Sequence, residues 1–291
     1  MESTRLLVMA DTHLGASPDG FCQQPRRPDL LEPLVEHLRR WMSRHPMDAV
    51  LHGGDMTDHG SEDEIASAVG LFGSLPAPVY LALGNHDLAG RDSFAAWQAQ
   101  AGSWFAGSAE AFGLVFGHAG VFVLNHDWHD CQVPFHWDTR LSQRPVILDS
   151  QRQQLDVFLT QTPLPVLLMT HAPLHPVPAA QTGLDEDIHR PCGGFVSEMA
   201  ALARRHPNLV LALSGHNHVN TIFRHNGLVS ISTASFIEPS FDVRVITVND
   251  ATISVETISF VDDLGTACRF DAARAWTVGS DSDRRHTLSV S

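Results

Sequence analysis

Seven side chains that can bind a metal ion stand at the ends of five apolar runs. "LLVMA" leads into Asp11 and His13, "AVLHGG" into Asp55, and "VYLALG" into Asn85, with His86 and Asp87 directly behind it. Further on, "VLLMT" leads into His171 and "LVLALSG" into His216 and His218. Four imidazoles, two carboxylates and an amide suit Fe, Mn or Zn, and no thiolate is offered among them for a softer ion. A single histidine at the end of a strand is more often a hydrogen-bonded structural residue than a ligand. Five such endings are harder to assign to structure alone, because ligands gather at the carboxyl ends of strands in an open α/β sheet. The glycines before Asp55, Asn85 and His216 read more simply, as tight strand-to-loop turns.

The elements that must hold these residues show in the apolar periodicity. "RLLVMA" (5–10), "AVLH" (49–52), "PVYLAL" (78–83), "GVFVLN" (120–125), "PVLLMT" (165–170) and "NLVLALS" (208–214) read as strands. Leu31, Leu34, Val35, Leu38, Trp41 and Met42 fall on one face of an amphipathic helix. Ser61 with Glu64 makes a capping-box start for a second helix, and 149–159 and 194–206 predict two more. Strands alternating with helices predict an α/β domain with a largely parallel, buried sheet. After His218 the rhythm changes: "TIFRH", "LVSISTA", "DVRVITV" and "TISVETI" follow with turn-sized gaps and predict antiparallel strands. The catalytic domain is expected over 1–262, with 263–291 as a loosely ordered C-terminal tail.

Composition limits what such a site can serve. At 291 residues, with 43% hydrophobic and 18% charged, the chain is an ordinary globular protein of one large domain. Its formal net charge is -14 and all 19 basic residues are scattered arginines, so an extended nucleic-acid backbone finds no basic stripe to hold. The 18 histidines, many near carboxylates, point to metal or proton chemistry. Cys22, Cys131, Cys192 and Cys268 lie far apart without a C-x-x-C pair, which fits reduced thiols rather than a zinc ribbon or a disulfide scaffold. The opening "MESTRLLVMAD" breaks at Asp11, too soon for a signal peptide or a membrane span, so a cytoplasmic protein without a membrane partner is expected. No G-x-S-x-G elbow or P-loop offers a competing chemistry.

D-x-H at Asp11 and His13, G-D at Asp55, G-N-H-D at Asn85 to Asp87, a lone His171, and G-H-x-H at His216 and His218, in that order, resemble the calcineurin-like metallophosphoesterase family. The resemblance implies a four-layer αββα sandwich with two metal ions bound at the carboxyl ends of its strands. It places Asp11, His13 and His218 on one ion and Asn85, His171 and His216 on the other, with Asp55 bridging. Two cations that share a carboxylate sit about 3.5–4 Å apart, the spacing of two-metal phosphoryl hydrolysis. The implied nucleophile is a metal-bridging hydroxide. His86 becomes the proton donor to the leaving oxygen or a hydrogen-bond donor to the transition state, and Asp87 holds its ring. Asn85, being neutral, preserves the positive charge that must face a phosphate. The ligand set accepts Mn, Fe or Zn, so the metals are not specified.

Within that family, the compact chain, "GDMTDHG" after the second strand and "LDSQRQQLDVFL" before the fourth motif are similar to the bacterial cyclic-nucleotide phosphodiesterase branch. The expected function is hydrolysis of a phosphodiester in a small substrate, such as a cyclic nucleotide. A phosphomonoesterase would share every motif. A DNA nuclease resembles "DTHLG" and "LHGGD" but needs a DNA-contacting surface that a charge of -14 does not offer. A non-catalytic interaction module is set against the retained His86 and the full ligand set. The choice between monoester and diester falls to two long loops, 126–140 and 172–193. The first carries His126, Trp128, His129, His136 and Trp137, and the second His175 and His189. Arg140 and Arg190 are the candidate phosphate contacts, His52 is expected to pack inside its strand, and His59 to border the site or cap the next helix. The oligomeric state, a homodimer included, stays open.

Overall fold

Apolar runs and one-sided helices can bury their faces only against one another, and here they do so as two sheets. The computed structural model describes residues 3–18, 23–128, 133–138, 140–141, 144–225, 227–262 and 270–290. The first third of the chain runs β1 (Thr4–Met9), α1 (Leu31–Arg44), β2 (Ala49–His52), α2 (Glu62–Phe72), β3 (Val79–Leu81) and α3 (Ser93–Gln100). The middle adds β4 (Ala111–Val115), β5 (Gly120–Leu124), β6 (Asp127–Trp128), β7 (Pro145–Val146), α4 (Asp149–Gln161), β8 (Val166–Met169), α5 (Ala179–Thr182) and α6 (Gly193–Arg205). The last part is β9 (Leu209–Ser214), β10 (Thr221–His225), β11 (Leu228–Ser232), β12 (Asp242–Val248), β13 (Thr252–Ser259), α7 (Asp281–Arg284) and β14 (Arg285–Ser289). One six-stranded sheet has the order β14-β13-β12-β1-β2-β3 and the other β10-β11-β9-β8-β5-β4, while β6 and β7 form a small separate ribbon.

Strand periodicity explains the layering. In the second sheet Val121, Val123, Leu167, Met169, Leu211 and Leu213 belong to the large core cluster shared with the first sheet. Their neighbours Phe122, Leu124, Val166, Leu168 and Ala212 instead join Leu155 and Leu159 of α4 and Phe195, Met199 and Leu202 of α6. Successive side chains of a strand point to opposite faces, so each strand serves the central layer and an outer helix at once. On the other side α1 buries Leu31, Leu34, Val35, Leu38 and Met42, five of the six residues that its spacing predicts, and Trp41 packs partly buried beside them. Ser61 and Glu64 close the capping box of α2, with Ser61 Oγ accepting from Glu64 N at 3.3 Å and Glu64 Oε2 accepting from Ser61 N at 3.2 Å. The result is the four-layer α/β sandwich.

The two sheets are those that the family resemblance implies, and they divide the parallel strands read from periodicity: β1, β2 and β3 run parallel in one sheet, and β5, β8, β9 and β11 in the other. After His218, β10 pairs antiparallel with β11 and β12 with β13, as the turn-sized gaps predict, but β12 joins β1 across the molecule. A hydrophobic run buried on both faces looks the same in either sheet, so periodicity alone does not show the division that the family motifs imply.

Within the predicted tail, the described residues 270–290 are not loose. Residues 272–278 form a 3-10 segment, and β14 extends the first sheet, pairing from Thr252↔Ser289 to Glu256↔Arg285. As an edge strand, β14 alternates exposed and half-buried positions, and so its polar composition hides it. Charged contacts secure it: Asp283 Oδ1 accepts from Ile222 N at 3.0 Å, Arg284 pairs with Asp242 at 2.9 Å, and the fully buried Arg244 donates to Asp283 O at 2.7 Å. No helix among the described residues is long and apolar enough to cross a membrane. Deleting the chain from Ser280 onward should cost at least ~2 kcal/mol, because it strips a buried guanidinium of an acceptor and exposes a sheet edge. Chemical denaturation of the truncated protein measures this, and an unchanged midpoint would show that β14 is dispensable.

Candidate metal centre

β1, β2 and β3 end side by side in the first sheet, and β8 and β9 end side by side in the second. The motif residues therefore meet across the gap between two sheets rather than along one edge. Five of them sit on backbone that L side chains rarely adopt: φ is 55° at Asp11, 40° at His13, 50° at Asp55, 71° at His216 and 56° at His218. Such conformations cost of order 1–3 kcal/mol each and persist where the surroundings enforce them. Enforcement is visible in Asp11 N→Gly54 O at 2.9 Å, His13 N→Asp55 O at 3.0 Å, and His216 N, which donates to Asp11 Oδ2 at 3.0 Å.

The donor atoms form two groups. In one, His13 Nε2 and His218 Nε2 are 3.2 Å apart, with Asp11 Oδ1 3.5 Å from His218 Nε2. In the other, His171 Nε2 lies 3.1 Å from Asn85 Oδ1, 3.1 Å from His216 Nδ1 and 3.2 Å from Asp55 Oδ2. Asp55 Oδ2 is also 3.9 Å from His13 Nε2, so one oxygen faces both groups, as a bridging ligand must. His13, His218, Asp11, Asp55 and His171 are all buried.

Hydrogen bonding behind the rings shows what these groups fit. His13 Nδ1 is 2.9 Å from Asp58 Oδ1 and His218 Nδ1 is 2.6 Å from Glu238 Oε1. His171 Nδ1 donates to Gly53 O at 2.9 Å. Carboxylates and carbonyls only accept, so each Nδ1 carries the hydrogen and a neutral ring turns a lone pair inward at Nε2. Lone pairs and carboxylate oxygens at these distances repel unless a cation lies among them. The donor set therefore fits one metal ion in each group, with Asp58 and Glu238 as the outer carboxylates that orient ligating histidines.

Electrostatics separate the rings that stay neutral without an ion from those that take a proton in its place. Burial pushes the His13 imidazole down to about 3 and holds His216 well below its usual range, which keeps both rings neutral. At His171 burial opposes the charge, but Asp55 and Asp11 outweigh it and lift the ring to about 9. At His218 burial is likewise overcome, by Glu238 and Asp11. Asp11 is pushed up to about 6 by burial. Without an ion the cluster keeps protons on His171 and His218, so protons and metal compete for the same places.

Two glycines do more than turn the chain. A Cβ at Gly84 would sit 2.1 Å from Asp55 Oδ1, and one at Gly215 would sit 2.6 Å from Asp11 Oδ2. Each glycine leaves the space that a carboxylate ligand occupies.

Asp87 does not hold His86. It is fully buried, accepts from Thr57 N, Thr57 Oγ1 and Gly84 N, each at 2.9 Å, and is pushed up to about 6 by burial. It fixes the turn that presents Asn85. His86 Nδ1 instead donates to the Asp58 carbonyl at 2.8 Å, and its backbone N donates to Asp55 Oδ1 at 2.8 Å. His86–Leu88 is a 3-10 turn, in which consecutive side chains point about 120° apart, so sequence neighbours diverge. Asp58 lies three residues beyond Asp55 in "GDMTDHG" and could have been suspected. Glu238 sits on the crossover from β11 to β12, with no local signal to mark it.

A cavity of about 320 Å³ opens on the donor groups, and Arg26, His86, Trp137 and His189 line it with them. A side lobe of about 210 Å³, lined by Trp128, Pro145, Ala172, Pro173, Cys192 and Asn217 among others, shares His189 and His216 with it. The two long loops thus build the walls of the cleft. A larger cavity, about 580 Å³, lies between the ends of both sheets around Arg224, Ile253 and Leu288, and none of the candidate metal ligands lines it. Arg140 pairs with Asp138 on an exposed side chain away from the cleft, whereas Arg190, 3.7 Å from Glu186, lines the side lobe though not the metal-facing cavity itself. His52 packs edge-on to Phe72, and His59 bonds Glu64 at the start of α2. His126 is buried behind Trp128, and His175 stacks on Phe223 outside the cleft. His136 is half-buried and Cys192 is a free thiol, whereas His129, Cys22, Cys131 and Cys268 lie outside the described residues.

The calcineurin-like phosphoesterase model matches residues 4–220, and the chain belongs to that family. Its fold is similar to a dimetal phosphatase from Danio rerio, at 15% identity over 88% of this chain and 96% of that one, with a TM-score of 0.71. A purple acid phosphatase from yellow lupin (Lupinus luteus) is similar at 13% identity over 99% of this chain and 54% of that one, TM-score 0.60. An anchor protein in the inner membrane complex of Plasmodium is similar at 11% identity over 99% and 89%, TM-score 0.61. No curated protein sequence matches the chain.

Gly84→Ala should displace Asp55 and lower bound metal below two equivalents in a folded protein; elemental analysis showing two full equivalents would contradict this role. Glu238→Gln should weaken metal binding about 10–100-fold, as loss of an orienting carboxylate does. Chelator competition reads the change, and wild-type affinity would exclude Glu238 from the site.

Proposed function

We propose that this phosphoesterase is a metal-dependent phosphodiesterase acting on a small substrate, a cyclic nucleotide or a comparable diester. The observation that carries this reading is the side lobe. A phosphodiester bears two organic arms where a monoester bears one, and the cleft offers a second recess, lined by Trp128, Pro145, Pro173 and Pro191 together with Arg190 and Asn217, that shares His189 and His216 with the metal-facing cavity. At about 210 Å³ it is smaller than the roughly 300 Å³ at which pockets for drug-sized ligands begin, which suits a single ring or sugar rather than a polymer. The -14 charge likewise disfavours a nucleic-acid strand.

Asp11, His13, His218, Asn85, His171, His216 and the shared Asp55 would hold the metal pair, which supplies Lewis acidity and an acidified water when bound. The chain's own residues do the rest. His86, with Nδ1 committed to the Asp58 carbonyl, keeps Nε2 for the substrate, where it delivers a proton to the leaving alkoxide. Trp137 packs against the His86 ring at 5.4 Å and limits its rotation. Trp128 forms a wall of the recess for the second arm.

The test is turnover of bis-nitrophenyl phosphate against nitrophenyl phosphate by metal-stripped protein reloaded with Mn. The diester should be preferred by about tenfold or more in kcat/KM, a difference of about 1.4 kcal/mol. Trp128→Ala should reduce diester turnover more than monoester turnover. Monoester preference would make the protein a phosphomonoesterase, and silence on both with two metals bound would favour a binding module.

A further inference from the structure

Arg26 is a buried cation inside the metal-facing cavity, with most of its donors unengaged. Its side chain is 3% exposed, and its one polar contact among the described residues is Nη1 to Asp58 Oδ1 at 3.4 Å. That carboxylate is already committed to His13 at 2.9 Å. Arg26 Nε has no partner among the described residues. A buried guanidinium without a matched acceptor is costly, and its fork geometry is made for paired oxygens such as those of a phosphate. Facing the same cavity, Trp137 carries a second buried donor without a partner, its indole Nε1. Both orphans are donors, and the residues that carry them line the space that the metal ligands line.

We infer that Arg26 and Trp137 form an anion subsite that holds a non-bridging oxygen of the substrate's phosphate. The assignment rests on the phosphoesterase function of the cleft but not on the preference for diesters. Arg26 is the only arginine among the described residues of this cavity, whose polar lining otherwise consists of metal ligands, His86 and His189. Its position is fixed from behind. Gln24 N donates to Glu238 Oε2 at 2.7 Å, the Gln24 side chain donates to Arg274 O at 2.9 Å, and Arg27 N donates to Ile237 O at 2.8 Å. The loop is therefore set before substrate arrives, so little ordering opposes binding. A role limited to supporting Asp58 leaves Nε and the Trp137 N–H unexplained.

Inorganic phosphate is the probe, with its Kd measured by calorimetry on protein loaded with two equivalents of Mn. Arg26→Gln should raise that Kd about tenfold or more with metal content unchanged, and Arg26→Lys should restore part of the affinity by returning the charge without the fork. Trp137→Phe, which keeps a ring beside His86, should raise it about three- to tenfold, the worth of one hydrogen bond. An unchanged Kd in Arg26→Gln with both metals bound, or loss of metal from that variant, would make Arg26 a support for Asp58 and overturn the subsite. Should Arg26→Gln not fold, an unchanged Kd in Trp137→Phe overturns it equally. The readout is phosphate binding, so a failed diester assay and a failed subsite are separate results.

Discussion

The structure turns on a convergence of acceptors. His13 and His218 bring two ring nitrogens within 3.2 Å, and His171 meets a carboxylate, an amide oxygen and another imidazole within 3.2 Å. In a low-dielectric interior such groups repel unless positive charge lies among them. A bound metal, or protons in its place on His171 and His218, is thus what balances the central cleft. The folded chain must hold the arrangement open beforehand, which explains its left-handed backbone and its glycines beside the carboxylates.

Two sheets serve this purpose better than one. Strands of a single sheet deliver side chains along a line, whereas β1, β2 and β3 facing β8 and β9 deliver them from two sides of a gap. Each metal group draws from both sheets: Asp11 and His13 with His218, Asn85 with His171 and His216. The apolar layer between the sheets sets the width of that gap, so packing far from the site fixes distances within it. Asp58 and Glu238 then convert coarse placement into ring orientation.

What the sequence discloses follows from where the information lies. Ligands behind apolar strands are visible, since strand, turn and donor are contiguous: Asp11, His13, Asp55, Asn85, His171, His216 and His218 all come together in space. Glu238 is opaque, because its partner is twenty positions away in sequence and the contact depends on how the crossover to β12 packs. Asp87 misleads for the opposite reason, since adjacency suggests a bond to His86 that a 3-10 turn forbids. Arg26 is similarly hidden. Nothing in "QQPRRPD" distinguishes it from Arg27, yet one arginine faces the cleft and the other pairs with Asp29. The edge strand β14 is invisible because it is a matter of pairing, which composition does not record, and the split between two sheets is legible only through the family motifs, not through strand periodicity.

The support behind Glu238 has a consequence for the order in which the molecule is made. Gln24, which binds Glu238, is itself clasped by Asp271, Arg274 and Thr277. The metal-binding motifs have all left the ribosome once His218 has emerged, but the clasp follows more than fifty residues later. N-terminal segments begin to fold during synthesis. A nascent chain therefore carries every ligand for an interval of seconds while the brace behind His218 is still missing. Ions met in that interval find the donors in an unfinished geometry, and the orientation of the His218 ring by Glu238 waits for the clasp on Gln24.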